Sequence, residues 1–114
     1  MKIALKRVYV APGKSDGCRV LVDRLWPRGV SRKSAKVDYW IKDVAPSAPL
    51  RKWFAHDPEK WSEFKKRYFQ ELKGNADSVK QIRSLARQRK VTLLFGARDE
   101  KHNNAVALRT YLAR

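Results

Sequence analysis

The chain has 114 residues and a mass of 13.3 kDa, which predicts one domain spanning residues 1–114. Hydrophobic residues make up 43% of the sequence, enough for one core, and this composition argues against intrinsic disorder. The 27 lysines and arginines against 11 aspartates and glutamates give a net charge of +16, which favours an anionic small molecule or a nucleic acid as partner.

The sequence predicts neither a membrane span nor a signal peptide. Charged residues recur every few positions, so no run approaches the roughly 18 apolar residues that a spanning helix needs. The residues Lys2–Arg7 form too short an apolar run for a signal peptide, and the single cysteine, Cys18, cannot form an internal disulfide. We therefore expect a cytoplasmic protein that does not enter a membrane.

The first half of the chain predicts three strands. Residues 2–10 carry regularly spaced apolar side chains and end at Pro12-Gly13, as a strand does before a turn. Residues 19–23 have an unbroken apolar middle, which indicates a strand covered on both faces, and a polar loop over 24–29 follows directly. Residues 37–41 alternate well enough for a third strand.

Three successive helices are predicted next. The first has a short apolar face within Leu50–Phe54. The second opens at Asp57-Pro58, where an N-cap acceptor precedes proline, and it ends at Gly74. Its apolar stripe at helical spacing consists of Trp61, Phe64, Tyr68 and Leu72. The third helix begins near Asp77 and turns its apolar residues inward.

The clearest buried strand is Val91–Phe95, and a polar loop joins it to a last helix in which Ala105, Leu108 and Leu112 repeat. A buried strand that feeds a helix, beside another strand that ends in a polar loop, indicates an α/β fold. We expect a small three-layer Rossmann-like sandwich with a mainly parallel sheet. The glycine-rich dinucleotide fingerprint is absent from the sequence. Which cofactor, if any, the protein uses is unknown from the sequence.

Three blocks of the sequence are long and unusual: Arg19–Gly29, Leu50–Pro58 and Val91–Val106. On these blocks the chain resembles, nearly end to end, the YeaO-like branch of the domain-of-unknown-function family 488. The resemblance implies a small Rossmann-like α/β fold. It implies no catalytic residues, because the family takes its name from an unassigned function.

Two polar loops follow predicted strands and carry the candidate ligand-binding residues. In open α/β sheets, ligands bind outside the carboxyl ends of the strands, often at a helix N-terminus. The candidate residues are Asp23, Arg24, Trp26, Arg28, Asn103 and Asn104. Arg24 and Arg28 would hold a phosphate or carboxylate, while Trp26 offers a flat face to a base or sugar. The sequence therefore predicts a phosphate-bearing, nucleotide-like ligand.

Asp99 and His102 are the candidate catalytic residues, with His102 as general base and Asp99 as its orienting acid in hydrolysis or group transfer. Alternatively, Asp99 caps the last helix or the turn before it, and His102 bonds to a neighbouring backbone group. His56 is predicted to be mainly structural. Two distant histidines and one cysteine do not predict a metal site.

A second hypothesis is a non-catalytic DNA-binding or RNA-binding module that uses basic helix faces. The residues that would contact phosphates are Lys65, Lys66, Arg83, Arg87 and Arg89. Because basic residues are spread along the whole chain, a solvated surface explains the charge equally well. The sequence predicts no oligomeric state.

Overall fold

The computed structural model describes residues 2–114, which form a four-stranded parallel sheet with helices around it. The strands are β1 (Ile3–Arg7), β2 (Cys18–Leu21), β3 (Tyr39–Trp40) and β4 (Val91–Phe95). They lie in the order β1-β4-β2-β3, and every neighbouring pair is parallel. The predicted α/β fold with a mainly parallel sheet is confirmed.

Five α-helices lie among residues 2–114. They are α1 (Arg32–Ala35), α2 (Ala48–Phe54), α3 (Trp61–Lys73), α4 (Ala76–Gln88) and α5 (Asn104–Leu112). The Ser47 hydroxyl caps α2, and Pro49 lies in its first turn. The Asp57 carboxylate accepts a hydrogen bond from the Glu59 N–H and begins a 3-10 turn, Pro58–Lys60, that runs directly into α3.

The strand bounds follow from pairing. Val91–Phe95 has the predicted bounds, and β1 is shorter than predicted because only its five residues pair with this strand. The predicted strand over 37–41 is reduced to Tyr39–Trp40, an edge strand with two residues in register with β2. The four-residue helix α1 was not predicted, since a single turn has no visible apolar periodicity.

One face of the sheet carries the main hydrophobic core. Val20 of β2 pairs in register with Leu93 of β4, and both side chains point to this face. The apolar sides of α2, α3, α4 and α5 cover it. The residues that they bury include Phe54, Phe64, Tyr68, Ile82 and Leu108. The aromatic stripe of α3 is therefore part of the core.

The opposite face has a thinner cover, made of α1 and the loops beside it. Leu21 and Leu94 point to this face and pack with Ala35 of α1. Two partly buried tryptophans, Trp26 and Trp40, complete this small cluster. The third layer of the predicted sandwich thus consists of one short helix and loops.

A buried ion network ties α1 to the sheet. Arg19 is only 3% exposed, and its guanidinium donates to the Asp16 carboxylate at 2.6 Å and to the Ala35 carbonyl at 2.7 Å. Lys6 donates to the same carboxylate at 2.7 Å. Burial raises the pKa of Asp16, but hydrogen bonds from the Gly13 backbone and the two basic side chains outweigh it, so the pKa falls to about 2.

The start of β2 requires a glycine. Gly17 has a φ of 66° and lies so close to Lys90 that any side chain would collide with the Lys90 carbonyl. The next residue, Cys18, then donates its N–H to this carbonyl at 2.9 Å. Glycine is used here because it tolerates both the left-handed backbone and the close approach.

A crevice arises at the carboxyl ends of β2 and β4, which are neighbours in the sheet. The chain leaves β2 on the thinly covered face, passing through α1 towards β3. It leaves β4 on the other face, into α5, which packs against β4 and β1. Since the two connections diverge, they open the kind of crevice in which α/β folds bind ligands.

Candidate functional site

A cavity of about 420 Å³ opens at this crevice. Its walls come from the loop after β2, from α2, and from the segment that joins β4 to α5. Its polar lining consists of Asp23, Arg24, Arg51, Lys52, His56, His102, Asn103 and Asn104. Five of these residues were predicted from the sequence: Asp23, Arg24, His102, Asn103 and Asn104.

Asp23 joins the two strand ends at the cavity. One oxygen of its carboxylate accepts the Gly96 N–H at 2.8 Å, and the other accepts the Asn104 side-chain amide at 3.2 Å. The same amide donates to the Val22 carbonyl at 3.0 Å, which fixes the start of α5 over β2. Burial raises the pKa of Asp23, and the hydrogen bonds and the charge of Arg51 reduce this rise without cancelling it.

Gly96 permits this arrangement. A Cβ atom at this position would lie 3.1 Å from the Asp23 carboxylate, closer than an ordinary contact. Any larger residue would push the carboxylate away from the Gly96 N–H. The Gly96 backbone and the Asn104 amide therefore define the position of Asp23 from two sides.

Arg24 is held by backbone carbonyls. Its guanidinium donates to the Ala45 carbonyl at 3.0 Å and to the Pro46 carbonyl at 3.3 Å, just before α2. These bonds use two of the five N–H donors of an arginine, so the charge stays available at the cavity wall. Arg24 thus lines the cavity, whereas its predicted companion, Arg28, does not.

Two further cations, Arg51 and Lys52, line the cavity from α2 and were missed in the sequence. Both side chains are exposed, and among residues 2–114 neither forms an ion pair. They follow Leu50 on the solvent side of a short amphipathic helix, where charges are ordinary. No sequence signal distinguishes them, because only the packing of α2 against the strand ends makes this side a cavity wall.

His56 reaches the cavity through an unusual turn after α2. Ala55 and His56 both have positive φ values, 46° and 57°, which non-glycine residues rarely adopt. The Ala55 N–H donates to the Arg51 carbonyl and closes the helix. His56 therefore lies in the loop between helices, as the sequence predicts, and it also lines the cavity.

Asp99 and His102 contact each other at the mouth of the cavity. One Asp99 oxygen lies 2.9 Å from His102 Nδ1, and the other accepts the Lys101 and His102 N–H groups at 2.9 and 3.0 Å. The backbone hydrogen bond from Lys101, followed by the His102 side chain, lowers the pKa of Asp99. Only His102 of the pair lines the cavity, and its ring packs edge-on against Trp61.

The residue that caps α5 is Asn103. Its side-chain oxygen accepts the Val106 N–H at 2.9 Å, while its amide donates to the Asp99 carbonyl at 2.9 Å. Asp99 stabilises the turn before the helix, which is one of the two structural alternatives considered for it. The N-terminus of α5 thereby faces the cavity with Asn103 and Asn104 in its wall.

Trp26 and Arg28 do not line the cavity. The Trp26 indole donates to the Val30 carbonyl at 2.6 Å and packs edge-on against Trp40 on the thinly covered face. Arg28 is exposed, and its carbonyl accepts the Tyr9 hydroxyl. The apolar surface beneath α1 takes up the tryptophan, so the loop after β2 contributes Arg24 and Leu25 to the cavity instead.

The five basic residues of the nucleic-acid hypothesis are spread over two helices. Lys65 and Lys66 of α3 line a groove of about 360 Å³ together with Lys73 and Arg114. Arg83 of α4 donates to the Tyr111 carbonyl at 3.3 Å. The remaining two, Arg87 and Arg89, are exposed at the end of α4.

Within residues 2–114, no three or more His, Cys, Asp and Glu side chains are grouped where they could hold a metal ion. No helix in this part of the chain is long and apolar enough to cross a membrane. Cys18 is buried at the start of β2, and burial raises the pKa of its thiol. A buried thiol with a raised pKa is a poor nucleophile.

Comparisons with known proteins bear on the whole chain. A family described as "Inactive DUF488-N3 subclade" matches residues 2–114. The chain is 38% identical to the uncharacterized protein YeaO of Escherichia coli (strain K12), over 98% of this chain and 97% of that protein. It is 39% identical to uncharacterized proteins of Mycobacterium bovis and Mycobacterium tuberculosis, over 94% of this chain and 90% of each of them. No solved structure matches significantly.

Proposed function

The chain belongs to the inactive DUF488-N3 subclade, and we propose that it binds a phosphate-bearing, nucleotide-like small molecule in the cavity without turning it over. The observation that carries this proposal is the lining: three cations, Arg24, Arg51 and Lys52, above an apolar floor that includes Phe54 and Phe64. Small-molecule sites are concave, about 300–1,000 Å³ in volume, mostly apolar and provided with a few convergent polar groups. This cavity meets each condition.

The anionic group of the ligand would lie between α2 and the start of α5. Within residues 2–114, neither Arg51 nor Lys52 forms an ion pair, although the charge of Arg51 acts on the Asp23 carboxylate. The N-terminus of α5 adds partial positive charge from its first backbone amides, which suits phosphate oxygens. Hydrogen bonds that involve charged groups contribute about 1.5–3 kcal/mol each, so two or three of them give useful affinity.

The apolar part of the ligand would cover the floor and Leu25. Phe54 and Phe64 are stacked with ring centroids 4.3 Å apart. Leu25 is 65% exposed at the rim of the cavity, an unusual exposure for a large apolar side chain beside a concave site. A flat group such as a base would remove this surface from water at a gain of about 25 cal/mol per Å².

Binding without turnover is favoured by the description of the family as inactive. In this proposal, the Asp99–His102 pair orients the ligand rather than transferring its proton. Since Nδ1 of His102 is engaged by Asp99, Nε2 is the ring nitrogen that can meet a ligand oxygen. We expect this binding in the cytoplasm.

The proposal is tested by calorimetric titration with AMP in three proteins. Arg51→Gln/Lys52→Gln removes two charges from the cavity, and Lys66→Gln/Lys73→Gln removes two from the groove on α3. We expect the cavity variant to lose at least about 10-fold in affinity and the groove variant to change by less than about 3-fold. Equal losses in both would mean that only the net field attracts AMP, and no binding to the wild type would refute the proposal.

Hydrolysis or group transfer is a second candidate, favoured by the 2.9 Å contact between His102 and Asp99. It predicts that product resonances accumulate with time in ³¹P spectra of AMP or ATP after the protein is added, and that His102→Ala abolishes this accumulation while the ligand still binds. Measurable binding without product resonances would favour the non-catalytic site.

A nucleic-acid-binding module is a third candidate, favoured by the groove in which Lys65, Lys66, Lys73 and Arg114 surround Phe69. It predicts tight binding of labelled oligonucleotides that falls about 10³-fold in affinity between about 50 and 200 mM salt. The exposed Arg87 and Arg89 and the partly buried Arg83 would then extend this surface along α4, and their neutralisation would weaken binding to all sequences equally. Weak binding that vanishes at modest salt would contradict the module.

A further inference from the structure

The cavity contains one carboxylate, that of Asp23, among its cations. A carboxylate repels phosphate, so an anionic group is better placed against the cations Arg51 and Lys52, which line the cavity from α2. The part of the ligand that meets Asp23 must instead donate a hydrogen bond, because an ionised carboxylate is only an acceptor. This inference rests on the proposed binding of a phosphate-bearing molecule. Asp23 then limits which other chemical groups that molecule can carry.

Asp23 has acceptor capacity to spare. Each of its two oxygens accepts one protein hydrogen bond, from Gly96 and from Asn104, whereas a carboxylate offers about four acceptor sites. The side chain is half-buried and lines the cavity. Its unused lone pairs are therefore the acceptors that a ligand meets at the boundary between β2 and β4.

The position of this acceptor is defined in advance of binding. The Gly96 N–H holds one carboxylate oxygen at 2.8 Å, and a residue larger than glycine would displace it, because a Cβ at this position would lie only 3.1 Å from the carboxylate. Asn104 fixes the other oxygen and is itself bonded to the Val22 carbonyl. A preorganised acceptor binds a donor without the ordering cost of a mobile side chain, so it discriminates between ligands that have the donor and ligands that lack it.

A neutral hydroxyl suits this acceptor better than a protonated amine does. Three cations, Arg24, Arg51 and Lys52, line the same cavity, and the chain carries a net charge of +16. A protonated amine would be repelled by this field, while a neutral hydroxyl would not. Two neighbouring hydroxyls can also use both oxygens of one carboxylate.

We infer that Asp23 accepts hydrogen bonds from the hydroxyls of a sugar. The ligand is then a phosphorylated sugar with neighbouring free hydroxyls, as in a ribonucleoside 5′-phosphate. The sugar lies on Asp23 at the ends of β2 and β4, and the phosphate lies towards Arg51 and Lys52. Asp23 is then a specificity-determining residue: it separates ribose-containing ligands from their deoxygenated analogues.

The test compares AMP with 2′,3′-dideoxy-AMP by calorimetry, because the two share base and phosphate and differ only in the hydroxyls. The wild type should prefer AMP by about 10-fold to 100-fold. Asp23→Asn should bring this ratio close to 1 while leaving the affinity for the dideoxy compound within about 3-fold. Thermal unfolding of each variant establishes that it is folded.

A second variant covers the case in which Asp23→Asn does not fold. Gly96→Ala keeps the charge and moves the carboxylate by a few tenths of an ångström, and it should also reduce the preference for AMP. Equal affinity of the wild type for both nucleotides would overturn the inference and leave the phosphate site intact. A preference that survives in Asp23→Asn would overturn it too, since another residue would then recognise the hydroxyls. Failure of both nucleotides to bind would refute the proposed phosphate site itself.

Discussion

The chain holds charge in two contrasting regions. Under α1, Arg19, Asp16 and Lys6 are joined by hydrogen bonds of 2.6–2.7 Å, and the Arg19 guanidinium is also bonded to a backbone carbonyl. At the cavity, Arg51 and Lys52 are exposed and unpaired within the described residues 2–114.

The charges of the first region stabilise the fold, whereas those of the second region are available to bind a ligand. A buried charge must be fully partnered, because an unpaired one costs several kcal/mol. Charges at a concave surface remain solvated and cost little, so they are available to an anionic ligand. Mutations in the first region should therefore affect folding, and mutations in the second should affect binding.

The largest expected effect is that of Arg19→Met. It leaves Asp16 buried with only Lys6 and a backbone N–H as partners, and we expect the free energy of unfolding to fall by about 3 kcal/mol. Urea denaturation measures this loss. The matched control is Arg67→Ala, which breaks an exposed ion pair with Glu63 of 3.0 Å and should cost less than about 1 kcal/mol. Similar losses in both variants would contradict the contrast.

Acid should reduce the free energy of unfolding that the buried Asp16 carboxylate contributes. The pKa of Asp16 in the folded protein is about 2, below its ordinary value of 3.8, so its contribution of about 2 kcal/mol is complete above about pH 4. It is lost as the pH falls through the folded pKa. Urea denaturation of the wild type and Asp16→Asn between about pH 5 and pH 2 should show the two stabilities converging. If the stabilities of the wild type and Asp16→Asn changed in parallel with pH, the pKa of Asp16 would not be lowered in the folded protein.

Asp23, in the second region, should respond to acid in the opposite direction. Burial raises its pKa in the folded protein, so the folded state binds a proton more readily than the unfolded state does. Below the ordinary pKa, Asp23 is protonated in both states and does not destabilise the fold. The buried charge destabilises the folded state increasingly as the pH rises through the raised pKa. Relative to Asp23→Asn, the wild type should lose stability as the pH rises through this range. A gain over the same range would contradict the raised pKa.

The smallest expected effect on stability is that of Arg51→Gln/Lys52→Gln. Both side chains are exposed, and neither has an ion-pair partner among residues 2–114, so the free energy of unfolding should change by less than about 0.5 kcal/mol. Urea denaturation provides the measurement. A loss of more than about 2 kcal/mol would mean that these cations belong to the fold and not to a binding site.

Much of the fold can be predicted from the sequence, because apolar spacing decides which residues are buried. Val91–Phe95 forms a strand as predicted, and the apolar stripe of α3 lies in the core. The short elements were harder: β3 keeps only two paired residues, and α1 is a single turn that depends on Ala35 packing under it. Neither has enough residues for a periodic signal.

The site could be predicted only where it follows strand ends. Asp23, Arg24 and His102 come soon after β2 and β4, and the rule for parallel sheets brings their segments together. Arg51 and Lys52 come from a helix whose placement depends on tertiary packing, which leaves no mark in the local sequence. The same packing moves Trp26 from the predicted site to the opposite face of the sheet.

The most direct measurement is the ¹H–¹⁵N spectrum of the labelled protein during a titration with AMP. The proposed site predicts saturable shifts that are concentrated at the amides of Gly96, Asn104 and Arg51, around the cavity at the ends of β2 and β4. Amides along the groove of Lys66 and Arg114 should move little. Shifts concentrated in that groove, or no saturable shifts at all, would contradict a phosphate-binding cavity in this protein.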